Sequence, residues 1–435
     1  MNLQNKSVIT LGAGSSGRAA AALAASAGAD VAVHDSRDSI TGMPDGVKTI
    51  TNANSVTGDA SCCDVLVLCP GIDGNSDFVQ SYQQHAGEMI GEVELAYRFY
   101  QGRIIAITGT NGKTTTTELV DRILNHSGMT CVPCGNYGKP FSELPLMEEP
   151  PEVAALEVSS FQLETIVDFH PEIVIWLNFS ADHMDRYPSL EAYKNAKMRV
   201  FENLDQGDDV VIRAGEDVGG IKGNVVTFST ETEADYTLQD GWICEGGEKV
   251  IDLSITRLRG LHNAENAMAA YAACSLLGVS AEDANEALRG FAPPLHRCEL
   301  VGTLDGVEYI NDSKATNLHA LDSALRSQSR PIVLIAGGKE KGLDYSELLG
   351  RLEKTTKGVV VFGEIAPQLA DTFKPISNTI PTMVTTSLED AVNQARSMAE
   401  DGDTVLFSPG TSSFDMFSGY EERGDCFRSI VGKLK

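Results

Sequence analysis

The chain has 435 residues, and at roughly 150 residues per domain that length suggests about three domains. A hydrophobic share of 42% supplies several packed cores and excludes wholesale disorder. Against 34 Lys and Arg stand 61 Asp and Glu, a formal net charge of −27, which argues against nucleic acid or an anionic membrane as the main partner. Phosphates, if any, must be held by local devices.

Nine Cys, an odd number scattered along a long chain, fit reduced thiols better than a disulfide framework. No run of 18 apolar residues exists, so no transmembrane helix and no membrane insertion are expected. Lys6 before an Ala-rich run mimics a signal peptide, but Gly12, Gly14, Gly17 and Arg18 interrupt that run. A cytoplasmic protein is the expectation.

In chain order, short apolar runs alternate with helical segments, the pattern of α/β domains with parallel sheets. Strands are predicted at Ser7–Leu11, Val31–His34 and Val65–Cys69, with a helix over Arg18–Ala27. A second series runs through Arg103–Thr108, Val153–Val158 and Ile173–Asn178. Next comes a helix over Leu190–Leu204, then a Gly- and charge-rich stretch from Asp205 to Gly260 that reads as a small antiparallel piece. A third series holds Val307–Asn311, Pro331–Ala336, Gly358–Phe362 and Thr404–Ser408. Breaks fall near Gly91 and at Ala292-Pro293-Pro294, a stiff hinge. The expected domains are 1–91, 92–295 and 296–435: Rossmann-like, P-loop-type with a mainly parallel sheet, and Rossmann-like again.

Gly12-Ala-Gly14-Ser-Ser-Gly17 follows the first strand and opens a helix, where glycines admit a pyrophosphate to backbone N–H groups. Asp35 lies at the end of the next strand, where a ribose-binding acid would sit, so NAD, FAD and a sugar nucleotide all remain open. Thr108-Gly-Thr-Asn-Gly-Lys-Thr-Thr115 again joins strand to helix. Lys113 and Thr114 match the end of a P-loop, with lysine on the terminal phosphates and a hydroxyl on magnesium, although Ile107 stands where the usual first glycine would. Glu157 and His183 each follow a predicted strand and reach the same mouth of the sheet. A carboxylate and an imidazole beside a P-loop hydroxyl make a magnesium shell with one unusual nitrogen donor; taken singly, His183 reads more often as a structural or capping residue than as a ligand. Lys197 falls within ~20° of the centre of the apolar stripe of its helix, while Lys194 lies ~80° away. A lysine facing a core is costly unless paired, neutralised or snorkelling. Cys131-Val-Pro-Cys134 has redox spacing but no second pair to complete a zinc site. Asp205–Asp209 reads as a solvated turn.

The altered P-loop, with Glu157-Val-Ser-Ser-Phe-Gln-Leu-Glu164, the stretch from Asn178 to Tyr187, Asn311-Asp-Ser-Lys-Ala-Thr-Asn317 and the tail Ser408–Asp425, resembles the Mur ligases across nearly the whole chain. Within that family the set is most similar to members that add D-glutamate to UDP-N-acetylmuramoyl-L-alanine. The resemblance implies ATP at Gly109, Thr110, Asn111, Gly112, Lys113, Thr114, Thr115, Asn266, Arg297 and Asp312. It implies magnesium, as two ions, at Thr114, Glu157 and His183, and catalysis by Lys113, His183 and a Lys197 carbamylated by CO₂. The UDP-substrate would meet Gly14, Ser15, Asp35, Ser36, Arg37, Gly71, Asn136 and Gly138. D-Glutamate would meet Lys314, Thr316, Lys341, Ser413, Phe414 and Tyr420. A monomer with small-molecule substrates only is expected. A related ligase for another amino acid and, more remotely, an NAD-dependent oxidoreductase are the alternatives.

Overall fold

The computed structural model describes residues 1–53, 62–184, 186–292 and 294–434; Pro293 of the double-proline hinge lies outside them. Three mainly parallel sheets follow one another along the chain.

The first sheet contains β1 (Ser7–Leu11), β2 (Asp30–His34), β3 (Lys48–Ile50), β4 (Cys63–Leu68) and β5 (Ala86–Gly91) in the order β3-β2-β1-β4-β5, all parallel. Helix α1 (Ser15–Ser26) covers one face with its alanines, and α2 (Asp77–Gln83) covers the other with Val79 and Tyr82. Helix α1 starts three residues before the predicted Arg18, because Arg18 N–H already donates to Gly14 O. The serines of the Gly-rich loop therefore form the first turn.

Helix α3 (Glu92–Tyr97) leads into the central sheet. Its strands are β6 (Arg103–Thr108), β7 (Cys131–Gly135), β8 (Val153–Glu157), β9 (Ile173–Trp176), β10 (Asp209–Arg213), β11 (Asn224–Ser229), β12 (Tyr236–Gln239), β13 (Trp242–Glu245) and β14 (Glu248–Asp252). They lie in the order β14-β13-β12-β11-β10-β9-β6-β8-β7. The predicted antiparallel piece is smaller than its segment: β10 and β11 extend the parallel sheet, and only β12, β13 and β14 run antiparallel. Left-handed backbone at Asp240-Gly241 and Gly246-Gly247 turns those two hairpins. Asp208 is buried against His170 rather than solvated. Cys131 and Cys134 fall into apolar clusters on opposite faces of β7, so the two thiols point away from each other.

One face of the central sheet packs on α4 (Lys113–His126), which follows β6, and on α7 (Leu261–Leu276) and α8 (Ala281–Leu288). Between these helices in the chain come the single turn α5 (Ser160–Leu163) and α6 (Leu190–Met198). The latter is shorter than predicted: it tightens into a 3₁₀ turn at Arg199–Phe201. Val200 and Leu204 stay buried while Leu190 is exposed, because the apolar spacing survives the change of pitch but the first helical residue overhangs the core.

The third sheet runs β15 (Glu299–Leu304), β16 (Val307–Asn311), β20 (Thr404–Phe407), β17 (Ile332–Gly337), β18 (Thr356–Phe362), β19 (Thr382–Val384), with only β15 antiparallel. Its β17 is an unbroken run of buried residues, as a strand covered on both faces requires. Helix α9 (Leu318–Arg326) packs on one side, and the chain closes with a C-terminal helix at Tyr420–Lys433 on the other.

Candidate active site

A cleft of about 600 Å³ lies at the carboxyl ends of β6, β8 and β9. Thr110, Asn111, Gly112, Lys113, Thr114 and Thr115 line it from the loop entering α4. Asn178 fastens that loop to the end of β9, taking the N–H of Thr110 on its backbone oxygen and that of Asn111 on its side chain at 2.9 Å each. Gly112 sits at φ +89°, and a Cβ there would meet Asn266 Oδ1 at 2.2 Å. Only glycine lets Asn266, on α7, approach so closely.

Two lysines converge on one carbonyl. Lys113 Nζ folds back to Gly109 O at 2.9 Å and Thr110 O at 3.0 Å, and Lys197 Nζ donates to the same Gly109 O at 2.9 Å. Lys197 is 2% exposed and also lies 5.1 Å from the Tyr193 ring centre. Burial depresses the pKa of both ammonium groups; Arg297 lowers that of Lys113 further and Lys113 that of Lys197, for which the drop is large.

Glu157, at the end of β8, is buried. Its Oε1 accepts from Asn136 Nδ2 at 2.6 Å, and its Oε2 has no partner among the described residues. Thr114 Oγ1 accepts from Arg297 Nη2 at 2.7 Å, which ties the loop to the segment entering the third sheet. His183 adopts φ +56° and packs its ring against Phe161 and Tyr193. Burial lowers its pKa, so it is a neutral imidazole near pH 7. Among the described residues no three His, Cys, Asp or Glu side chains form a metal-binding group. A magnesium shell here would therefore depend on hydroxyls, ligand oxygens and water besides Glu157.

Asp312, Lys314, Thr316 and Tyr420 bring the third sheet to the same cleft. Burial pushes the Asp312 carboxyl up to about 7, although Ser408 Oγ and Cys298 N–H donate to it. Burial, with Arg297 and Lys113 nearby, brings Lys314 down to about 8; its ammonium lies 3.8 Å from the Tyr420 ring centre. Lys341 stands just outside the lining and reaches Asp182 Oδ1 and Thr316 O at 3.4 Å each. Ser413 and Phe414 do not line the cleft. Ser413 O caps the N–H groups of Met416 and Phe417, and Phe414 is 66% exposed.

Sequence reasoning gave Asp182 no role. It is buried, accepts from Asn317 Nδ2 at 2.9 Å and from Lys341, and so joins the central cleft to the third sheet. Burial opposes its ionisation, but His183, Lys341 and Asn317 outweigh it and hold the carboxyl below its ordinary range. Asn111 reaches His319 Nδ1 at 2.8 Å across the same junction. Asp182 and Asn317 lie inside stretches the sequence singles out, so their motif membership was the available signal.

A second cavity, of about 560 Å³, lies over the first sheet and is lined by Gly14, Ser15, Asp35, Ser36 and Gly71. Gly17 is fixed by contact, since a Cβ would fall 1.9 Å from Gly12 O. Asp35 spends both oxygens inside the protein: Oδ2 accepts from Ala13 N–H at 2.7 Å, and Arg37 grips both oxygens at 2.8 and 2.9 Å. Arg37 holds that carboxyl far below the usual range. Asn136 belongs to the central cleft instead, and Gly138 forms the turn after β7, where a Cβ would strike Pro133 O.

Residues 107–274 match the sequence model of the Mur ligase middle domain, and residues 296–410 that of the Mur ligase glutamate ligase domain. A UDP-N-acetylmuramoylalanine–D-glutamate ligase of Geobacter metallireducens is 38% identical, with 100% of this chain and 99% of that protein covered. One from Salinibacter ruber is 37% identical over 98% and 97%. Among solved structures, MurC of Thermotoga maritima superimposes with a TM-score of 0.61 at 18% identity over 99% of this chain and all of that one. MurF of the same organism, solved with ADP, gives 0.61 at 19% over 86% and 96%. These two likenesses speak for the fold alone.

Proposed function

The chain belongs to the Mur ligase family, and from that premise we propose that it is an ATP-dependent ligase joining D-glutamate to UDP-N-acetylmuramoyl-L-alanine during peptidoglycan precursor synthesis. The observation that carries the reading is end-to-end identity of 36–38% to relatives bearing that activity in their names. The cleft supplies what such chemistry needs: a glycine-rich loop on a helix N-terminus, convergent lysines, and a second sheet reaching across.

A carboxylate is a poor electrophile. The γ-phosphoryl group of ATP passes to an oxygen of the L-alanyl carboxylate, the β,γ anhydride bond breaks, and ADP leaves. The amine of D-glutamate attacks the acyl carbon; the C–O bond to phosphate breaks, phosphate leaves with its electron pair, and the amine loses a proton. Lys113 turns from its own loop carbonyls to the transferring phosphate, and Arg297 offsets the same charge from the third sheet. Residues 1–91 anchor the UDP portion, 92–295 hold ATP, and 296–435 present D-glutamate through Lys314, Thr316, Lys341 and the loop of Ser413 and Phe414. Closure across Asp182 keeps water from the acyl phosphate.

Magnesium fits the residues present: Glu157 Oε2 is a buried oxygen without a partner among the described residues, Thr114 offers a hydroxyl and His183 a neutral nitrogen. When bound, as two ions, it supplies charge neutralisation at the phosphates. Lys197 is suited to carbamylation, because CO₂ reacts with a neutral amine and burial favours the neutral form of this one. The resulting carbamate would place an anion where Lys113 and Lys197 share Gly109 O. No helix of the described residues is long and apolar enough to cross a membrane.

Phosphate release from ATP, measured with UDP-N-acetylmuramoyl-L-alanine and a panel of D- and L-amino acids, tests the reading. Turnover should require both the nucleotide and D-glutamate. Turnover with another amino acid alone would replace the acceptor, and silence with every one would reject the assignment.

A further inference from the structure

The second cavity contains a buried polar side chain that the proposed function does not use. His34, the last residue of β2, lines it and is only 2% exposed. Its Nδ1 lies 2.7 Å from the hydroxyl of Tyr82 on α2, with the two rings edge-to-face at 5.4 Å and Phe78 edge-to-face on Tyr82 at 5.2 Å. Neither His34 Nε2 nor the Tyr82 hydroxyl has any other partner among the described residues.

The tautomer follows from counting donors. If Nδ1–H donated to Tyr82, both the phenol proton and the Nε2 lone pair would be left over. If Tyr82 O–H donates to Nδ1, only one group, Nε2–H, still lacks a partner. The second arrangement leaves the fewest buried polar groups unpaired and is the one to expect. Burial lowers the His34 pKa and raises that of Tyr82, so both groups are neutral near pH 7. A fixed N–H donor then stands in a cavity whose other walls divide by chemistry. The Gly12–Gly17 turn and the α1 N-terminus suit phosphate, while Ile72, Phe78 and Pro70 suit the faces and edges of a flat ring.

We propose that His34, oriented by Tyr82, is a specificity-determining residue of the second cavity, donating from Nε2–H to a ring carbonyl of the pyrimidine-dione base of the nucleotide substrate. It rests on the reading of this cavity as the UDP site. Asp35 is already saturated by Ala13 and Arg37, so base recognition falls to its neighbour in sequence.

Calorimetric titration of the full chain with UDP, and separately with ATP, tests the assignment. His34→Phe should weaken UDP roughly tenfold, the value of one hydrogen bond to a buried donor, and leave ATP affinity unchanged. His34→Gln, which keeps an N–H donor, should stay within about threefold of the parent. Tyr82→Phe, which removes the group fixing the ring, should fall between the two and carries the test if His34→Phe does not melt as the parent does. Unchanged UDP affinity in both His34→Phe and Tyr82→Phe would overturn the proposal, as would equal losses for Phe and Gln at His34, which would make the residue a space-filler. A parent protein that binds ATP but not UDP would instead reject the reading of the cavity itself.

Discussion

Two glycine-rich turns sit at the carboxyl ends of two parallel sheets, and they treat their polar groups in opposite ways. In the turn at Gly12–Gly17 the nearby acid is fully engaged: Asp35 holds the Ala13 amide and the Arg37 guanidinium, and the cavity above is shaped rather than charged. In the turn at Gly109–Gly112 the charges are poorly matched. Lys113 and Lys197 share one carbonyl, and Glu157 keeps an unpartnered buried oxygen. Similar strand–turn–helix geometry thus serves two ends. A saturated turn is rigid before its ligand arrives and selects by fit. An unsaturated one stores electrostatic imbalance that a polyanion and its cations relieve, and it is where bond-making belongs.

The largest effect should come from the second turn. Lys113→Ala is expected to lower turnover at least ~10³-fold with circular dichroism and melting intact, since the Lys113 ammonium hydrogen-bonds only to its own loop; near-normal phosphate release would erase the contrast. Lys197→Ala should lose nearly as much, with partial recovery in millimolar short-chain carboxylic acids that replace the missing anion. Full activity without them would show Lys197 to be structural. Arg297→Ala removes the Thr114 contact from the third sheet and should raise the KM for ATP ~10–100-fold while leaving UDP binding as it was. In the first turn, Asp35→Ala should weaken the UDP-substrate and cost about 1–2 kcal/mol of stability, both readable by titration and urea melts.

The smallest effect lies outside either turn. Glu92, on α3, is buried, with Oε1 accepting from Ser142 N–H and Oε2 unpartnered among the described residues; burial raises its pKa from 4.5 to about 7. A raised carboxyl favours the folded state most below its unfolded pKa, and that advantage fades as pH climbs through the interval from 4.5 to about 7. Glu92→Gln should therefore flatten the fall in Tm between pH 5 and 8 and melt a few degrees above the parent at pH 8. A parallel shift at every pH would assign the fall to other groups.

Much of this contrast was legible in the sequence, because it lies in local spacing. The stripe Tyr193, Val200, Leu204 turned Lys197 inward, and the strand ends at Glu157 and Asn178 aimed Glu157 and His183 at one mouth. What escaped was long-range pairing. Nothing in the local pattern joins Asp182 to Lys341 across 159 residues, or marks Asp35 as saturated by Ala13 rather than open to a ribose. The hairpins of β12–β14 were legible in kind from their Gly-rich turns, but not in extent, since Asp209–Arg213 and Asn224–Ser229 read alike whether their partners run parallel or antiparallel. Phe414 entered through resemblance alone and Ser413 through resemblance and its Gly/Ser-rich loop, and in this arrangement they stand beside the cleft rather than in it.

The division between a saturated anchoring turn and an unsaturated reactive one is tested most directly by titrating UDP and ATP into Lys113→Ala and Asp35→Ala. The account predicts a double dissociation: Lys113→Ala loses ATP affinity and keeps UDP affinity, and Asp35→Ala does the reverse. Either variant losing both ligands together, while remaining folded, would contradict it.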